Sequence, residues 1–349
     1  MQNINHQIQR IAERYKTYEN ISELKEDIQN LLLELSNKEE IESIKAVTLS
    51  DLVNDRLIEM FNHNANYELL IKTGFTDYDK VFGGILKGEL VVIGARPGMG
   101  KSQFIINLCT NIAKAEIPCG FISLEFSAFL LANRFLSNVS GVSNHKIITK
   151  QFGQDEKNKL INSAETINNL PIYVHDKHIS SISNILERCK QLVEENKVQI
   201  IFIDYLQLIG NYNRRYNRET ELALITRELK KLTKELNVAI VVTSQLSRQV
   251  ENRPGGSKRP QLSDLRESGA IEQDADKVLF LYRPEYYGLE VDENNEPTQG
   301  KVELIMAKNN TGYCESIKLA IKTGFTGFTD YKGPFSELTI SQNRLNDLN

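Results

Sequence analysis

The chain has 349 residues, 40% hydrophobic and 25% charged, a globular balance with room for one large α/β domain plus an appendage or for two domains. No run of about 18 apolar residues occurs, and the opening MQNINHQIQRIAERY lacks the apolar core and cleavage site of a secretion signal, which argues against a membrane span or export. The formal net charge is −4, yet residues 1–72 carry 8 basic and 13 acidic side chains against 34 and 33 in the remainder, so bulk charge neither supports nor excludes a nucleic-acid partner.

Residues 1–45 are polar and read as helix. In NISELKEDIQNLLLELS the apolar positions Ile21, Leu24, Ile28, Leu31 and Leu35 recur at three- and four-residue steps, with Asn20 as N-cap and Glu23 three residues on. A third, amphipathic helix is expected over 49–62 (LSDLVNDRLIEMFN). It either packs on its own domain or docks on another subunit. The chain thereby divides into a helical N-terminal segment (1–45), a helix and connection (46–72), and a domain of alternating strands and helices (73–349).

From about residue 73, short apolar runs alternate with helical stretches. LVVIGA (90–95), GFISLE (120–125), IYVHD (172–176), QIIFID (199–204), VAIVVTSQ (238–245) and KVLFLY (277–282) suit strands buried on both faces of a mainly parallel sheet. KVELIMAKN (301–309) and ESIKLAIK (315–322) alternate more and predict an antiparallel edge. The four cysteines, Cys109, Cys119, Cys189 and Cys314, stand far apart without a CxxC pair. That pattern suits reduced thiols in a cytoplasmic protein.

The chemistry begins at ARPGMGKS, the stretch Ala95, Arg96, Pro97, Gly98, Met99, Gly100, Lys101 and Ser102, placed between a strand and a helix. Glycines at 98 and 100 let backbone amides curl around phosphate oxygens. Lys101 is suited to reach the terminal phosphates and the Ser102 hydroxyl to ligate magnesium. The following helix adds its N-terminal partial positive charge. Ala95 stands where the strict pattern has glycine.

Three further groups fall at strand ends, where open α/β sheets bind ligands. Asp204 closes IIFID and is the expected carboxylate of the magnesium shell. Glu125 closes GFISLE and fits a general base for water. Gln245 closes the next strand and is placed to touch the γ-phosphate or the attacking water. Together they imply an ATPase or GTPase core, with a nucleoside triphosphate and Mg²⁺ as cofactors. His175 and His178, in HDKH, have no partners to complete a metal set.

After Gln245 comes a loop rich in Gly, Pro and basic residues, then SDLRESGAIEQDAD. Arg253, Lys258, Arg259 and Arg266 are candidate phosphate contacts, and the Gly269 backbone is free to approach a strand closely. By composition alone, a solvated loop fits equally well.

In order and spacing, ARPGMGKS, FISLE, IIFIDYLQLI, SQLSRQVE and SDLRESGAIEQDAD resemble the DnaB-type replicative helicases over about residues 73–335. The resemblance implies a RecA-like P-loop motor that forms a hexameric ring on single-stranded DNA and moves 5′→3′, with ATP between subunits. It also implies a helicase loader or a primase as partner. Lys101 and Ser102 then match the phosphate loop, Glu125 the base, Asp204 the magnesium carboxylate and Gln245 the sensor. Arg266, Glu267 and Gly269 match the loop that follows the DNA backbone, and the 49–62 helix matches a linker that docks on the neighbour.

Two departures stand out. Fewer than 50 residues precede the linker helix, where the family normally carries a globular helical domain. In AKNNTG (307–312), set against the family's Lys-x-Arg-x-Gly, Lys308 is retained, but Asn310 replaces the arginine that enters the neighbour's ATP site. Two classes follow: a translocating helicase, or an ATP-binding DNA clamp with little turnover.

Overall fold

The computed structural model describes residues 47–61, 69–176, 181–210, 218–253, 258–265, 269–292 and 295–332. The helices expected within 1–45, with Asn20 and Glu23, lie outside these residues, as do His178, Arg266 and Glu267. Two compact units are present, one ending at Glu68 and one starting at Leu69.

In the first unit, helix α1 spans Leu49–Phe61, and residue 62 of the predicted helix lies outside the described residues. Thr48 caps it: its hydroxyl accepts from the Asp51 amide at 3.1 Å and donates to the Asp51 carboxylate at 2.7 Å. Leu49, Leu52, Val53, Leu57, Met60 and Phe61 are all exposed.

The second unit is built on a nine-stranded sheet of order β11-β10-β9-β8-β3-β7-β6-β4-β5. Its strands are β3 (Leu90–Ala95), β4 (Cys119–Ser123), β5 (Ile172–His175), β6 (Ile200–Asp204), β7 (Ala239–Gln245), β8 (Lys277–Tyr282), β9 (Lys301–Asn309), β10 (Ser316–Ile321) and β11 (Phe328–Asp330). A separate antiparallel pair joins β1 (Leu70–Ile71) to β2 (Ile85–Leu86). Strands β5 through β8 pair in parallel, and β8, β9, β10 and β11 pair antiparallel.

The near-continuous apolar runs reflect burial on both faces. On β3, Val91 and Ile93 enter one core with Phe104, Phe121, Phe202 and Phe328, whereas Leu90 and Val92 enter the other with Ile185, Leu222 and Leu229. Two expectations need correction. Strand β5 is an edge strand, so Tyr173 and Val174 are exposed despite its apolar sequence. At the other side β10 is covered by β11, so the antiparallel edge lies one strand further out. Strand β11 is only three residues long, too short for a periodic signal.

Three amides from the helices after β3 and β4 hold the approach to that last strand. Gln103 Nε2 and Asn138 Nδ2 donate to the Thr326 carbonyl at 2.8 and 3.1 Å, and Asn107 Oδ1 accepts from the Phe328 amide at 2.7 Å. A Cβ at Gly327 would lie 2.5 Å from both Asn107 Oδ1 and Asn138 Nδ2. Neither amide can retreat without breaking its buried hydrogen bond. Gly327→Ala is therefore expected to cost about 1–3 kcal/mol, read as a fall in the thermal unfolding midpoint with the fold retained.

Candidate nucleotide and DNA site

The four strands whose ends carry the site, β3, β7, β6 and β4, are consecutive neighbours and all parallel, so their C-terminal ends share one edge. Register fixes the alignment: Ala95 lies opposite Gln245, and Ser123 opposite Asp204. Strand β4 stops at Ser123, so Glu125 sits two residues beyond it, in the turn before helix α4 (Ala128–Ser140). With α2 at Thr76–Phe82, α3 is the helix Lys101–Lys114 that follows the phosphate loop.

The loop backbone has the shape expected of a cradle. Gly98 and Gly100 adopt φ of 81° and 97°, which side-chain-bearing residues rarely tolerate. A Cβ on Gly98 would meet the Tyr286 hydroxyl at 2.9 Å, and one on Gly100 the Phe325 ring at 2.8 Å. The Phe104 amide makes the first helical bond, to the Gly100 carbonyl, which leaves the amides of Lys101, Ser102 and Gln103 without a partner inside the helix, as an anion site at a helix start requires. Ala95 and Met99 are buried, and so is Arg96. Its guanidinium donates to Glu251 Oε1 and the Leu246 carbonyl, both at 2.8 Å. Arg96 thus contributes to the cradle through backbone alone, while its side chain braces the loop against the end of β7.

Lys101, Glu125 and Asp204 form one electrostatic cluster. The Lys101 ammonium lies 4.8 Å from the centre of the Tyr205 ring. Burial pushes its pKa down, against the upward pull of Asp204 and Glu125. Burial, then Asp204, raises the Glu125 carboxyl above the ordinary range, with Lys101 and Arg134 pulling the other way. Asp204 is 1% exposed and accepts from the Thr243 hydroxyl at 2.5 Å. A carboxylate close enough to Asp204 to be raised by it, beside a lysine on a phosphate loop, suits a divalent cation that relieves the repulsion.

Two residues of this edge were not singled out by sequence reasoning. Arg134, on α4, stacks over the Phe126 ring at 4.1 Å and interacts with both Asp204 and Glu125. It is the one charged residue in AFLLANRFLSNVS, a signal that was available. Gln207, in the turn after β6, hydrogen-bonds the backbone of Gln245. Its position shows only once β6 and β7 are placed side by side.

Three basic residues of the segment after β7 have partners within the domain. Arg253 Nη2 donates to both carboxylate oxygens of Asp264, at 2.7 and 2.6 Å, and its Nη1 donates to the Arg259 carbonyl. Lys258 donates to the Glu251 carbonyl, and Arg259 pairs with Glu303 and Ser316. These three cations hold the loop to the domain instead of projecting from it. Gly269 opens the short helix α9, Gly269–Asp274, which follows α5 (Asn144–Thr149), α6 (Gln154–Asn168), α7 (Ile182–Asn196) and α8 (Arg218–Leu236).

Lys308 and Asn310 do not share a strand face, because β9 ends at Asn309 and Asn310 has entered the turn. The Lys308 ammonium caps the end of α9, donating to the carbonyls of Glu272 at 2.6 Å and Gln273 at 3.1 Å. Asn310 bonds Asp276 through its backbone amide at 3.0 Å and its side chain at 3.4 Å. Both therefore sit against the 272–276 segment that leads away from Gly269. No cluster of three or more His, Cys, Asp or Glu suited to a metal occurs among the described residues.

Residues 71–330 match the model of the DnaB-like helicase C-terminal domain. The replicative DNA helicase DnaB of Geobacillus stearothermophilus is 34% identical over 93% of this chain and 71% of its own length. The replicative DNA helicase DnaC of Bacillus subtilis is 33% identical, over 93% and 71%. Among solved structures, one described as an ATPase domain is similar, with a TM-score of 0.74 and 31% identity over 82% of this chain and all of that one. A DnaB-like replicative helicase described with its primase interactions gives 0.76 and 29%, over 95% and 76%. With its RecA-like fold and phosphate loop, the chain belongs to the DnaB-like replicative DNA helicases, a family of ATP-hydrolysing enzymes.

Proposed function

We propose that this chain hydrolyses ATP with Mg²⁺ at the edge formed by β3, β7, β6 and β4, and uses the energy to move along single-stranded DNA as a ring of identical subunits, most simply six. The observation that carries this reading is that Lys101 and Glu125, which follow β3 and β4, and Asp204 and Gln245, which end β6 and β7, lie along one edge of the sheet, with Lys101, Glu125 and Asp204 close enough to interact. In this scheme the backbone of 95–100 wraps the phosphates and Lys101 meets the terminal ones. Glu125 takes the proton of the attacking water, and Gln245 senses the γ-phosphate. Ser102 and Asp204 would hold magnesium, which supplies neutralising charge when bound. Lys308 and Asn310 would act on the neighbour's site. A primase, as in the solved relative, and a loader are candidate partners.

Glu125 is retained beside Lys101 and Asp204, and family membership also favours turnover over a static clamp. Comparing ATP hydrolysis with and without single-stranded DNA tests this: stimulation by DNA is expected, and turnover indifferent to DNA would count against translocation. The DNA contact itself is assigned to the Arg266–Gly269 stretch, since Arg253, Lys258 and Arg259 are committed internally. Arg266→Ala should weaken single-stranded DNA binding across sequences and flatten the salt slope by about one phosphate contact. Nucleotide affinity should change little, and an unaltered slope would return the loop to a structural role.

A further inference from the structure

Strand β7 outruns its neighbour. It pairs with β6 only as far as Val242, opposite Ile203, yet continues to Gln245. On its other side β3 supports it to the end, through Ala95 opposite Gln245. The β6 side of the last three residues would therefore be bare, just where the sensor glutamine must be held.

Side chains from the end of β6 and the turn beyond it fill that gap. Thr243 reaches Asp204 through its hydroxyl. Ser244 Oγ, wholly buried, accepts from Gln207 Nε2 at 2.9 Å. Gln207 Oε1 accepts from the Gln245 amide at 3.1 Å, and its Nε2 also donates to the Gln245 carbonyl at 3.3 Å. One side-chain amide thus meets both backbone groups of Gln245, as a peptide unit of a paired strand would.

The turn that carries Gln207 is itself anchored. Arg218, at the start of α8, donates to the Gln207 carbonyl at 2.6 Å and to the Ile209 carbonyl at 3.2 Å. Movement of Gln207 away from β7 would break these bonds as well.

We propose that Gln207 is a positioning residue for hydrolysis: its side-chain amide extends the β6–β7 ladder past the end of β6 and holds Gln245 at the γ-phosphate. This rests on Gln245 being the sensor. Because a small displacement of a sensing group reduces the rate of the chemical step more than substrate binding, the effect should fall on kcat.

The test is a double-mutant cycle on the purified full chain with single-stranded DNA present. Gln207→Ala should lower kcat by about tenfold with KM for ATP within about twofold, and Gln245→Ala should lower it further. The double variant should be no slower than Gln245→Ala alone, since Gln207 acts only through Gln245. A merely structural role predicts losses that multiply, and multiplied losses would overturn the inference. Wild-type turnover in Gln245→Ala would overturn the sensor assignment beneath it, an outcome distinct from multiplication. Gln207→Glu covers the case in which the alanine variant does not fold. It keeps the acceptor for the Gln245 amide and loses both donors, so an intermediate loss, again absent in the Gln245→Ala background, is expected. A loss of equal size in both backgrounds would reject the proposal.

Discussion

Glu125→Gln should retain ATP binding while hydrolysis falls by about 10²–10⁴-fold, the range associated with loss of a general base. The amide preserves shape and can hydrogen-bond water, but it has no lone pair basic enough to take the proton. A pH profile offers a second reading. Glu125 works deprotonated, and burial together with Asp204 raises its pKa in the free protein. The acidic limb of kcat/KM should therefore lie above the ordinary carboxylate range, with activity lost as pH falls through it. Arg134 opposes that rise, so Arg134→Gln should move the limb further upward. A limb that stays in place would detach Arg134 from Glu125, and wild-type turnover in Glu125→Gln would refute the base.

Lys308→Ala should reduce turnover by at least about 100-fold in the assembled protein, with dependence on subunit contact. An arginine finger contributes about 10³–10⁵ in turnover because its charge meets the charge developing on the phosphoryl group. Asn310 carries no charge, so Lys308 is the cation left in this segment to serve a neighbour. Lysine lacks the planar two-pronged fork, which makes the compensation partial. The ammonium caps α9 here, so reaching another subunit requires it to release the carbonyls of Glu272 and Gln273.

Asn310→Arg should raise turnover, though less than a full finger would. Asp276 lies next to Asn310 and already holds Lys230 at 2.6 Å and the Leu90 amide at 2.7 Å, so it will compete for the new guanidinium. Steady-state hydrolysis at concentrations that favour assembly checks both variants. Untouched activity in Lys308→Ala would move the search for the cation to Arg283, now paired with Glu285 and stacked on Phe325.

The sequence by itself determined the elements that depend on local pattern. Apolar runs marked the five inner parallel strands because both faces of a central sheet demand hydrophobic side chains. ARPGMGKS marked the phosphate loop because few residue orders allow such a backbone. Asp204 and Gln245 were legible as the polar ends of apolar strands, and Glu125 from the same run, though it lies beyond its strand.

Tertiary structure decided the rest, because partner choice depends on residues far apart in the chain. Composition offered Arg253, Lys258 and Arg259 as DNA cations, but Asp264, the Glu251 carbonyl and Glu303 were close enough to take them. The exposure of β5 and the short β11 follow from sheet order, which no local period encodes. The parting of Lys308 from Asn310 comes from where β9 stops. Gln207 gained its place beside Gln245 only because β7 runs three residues past its last pairing with β6, a difference in length that exists only between strands already paired.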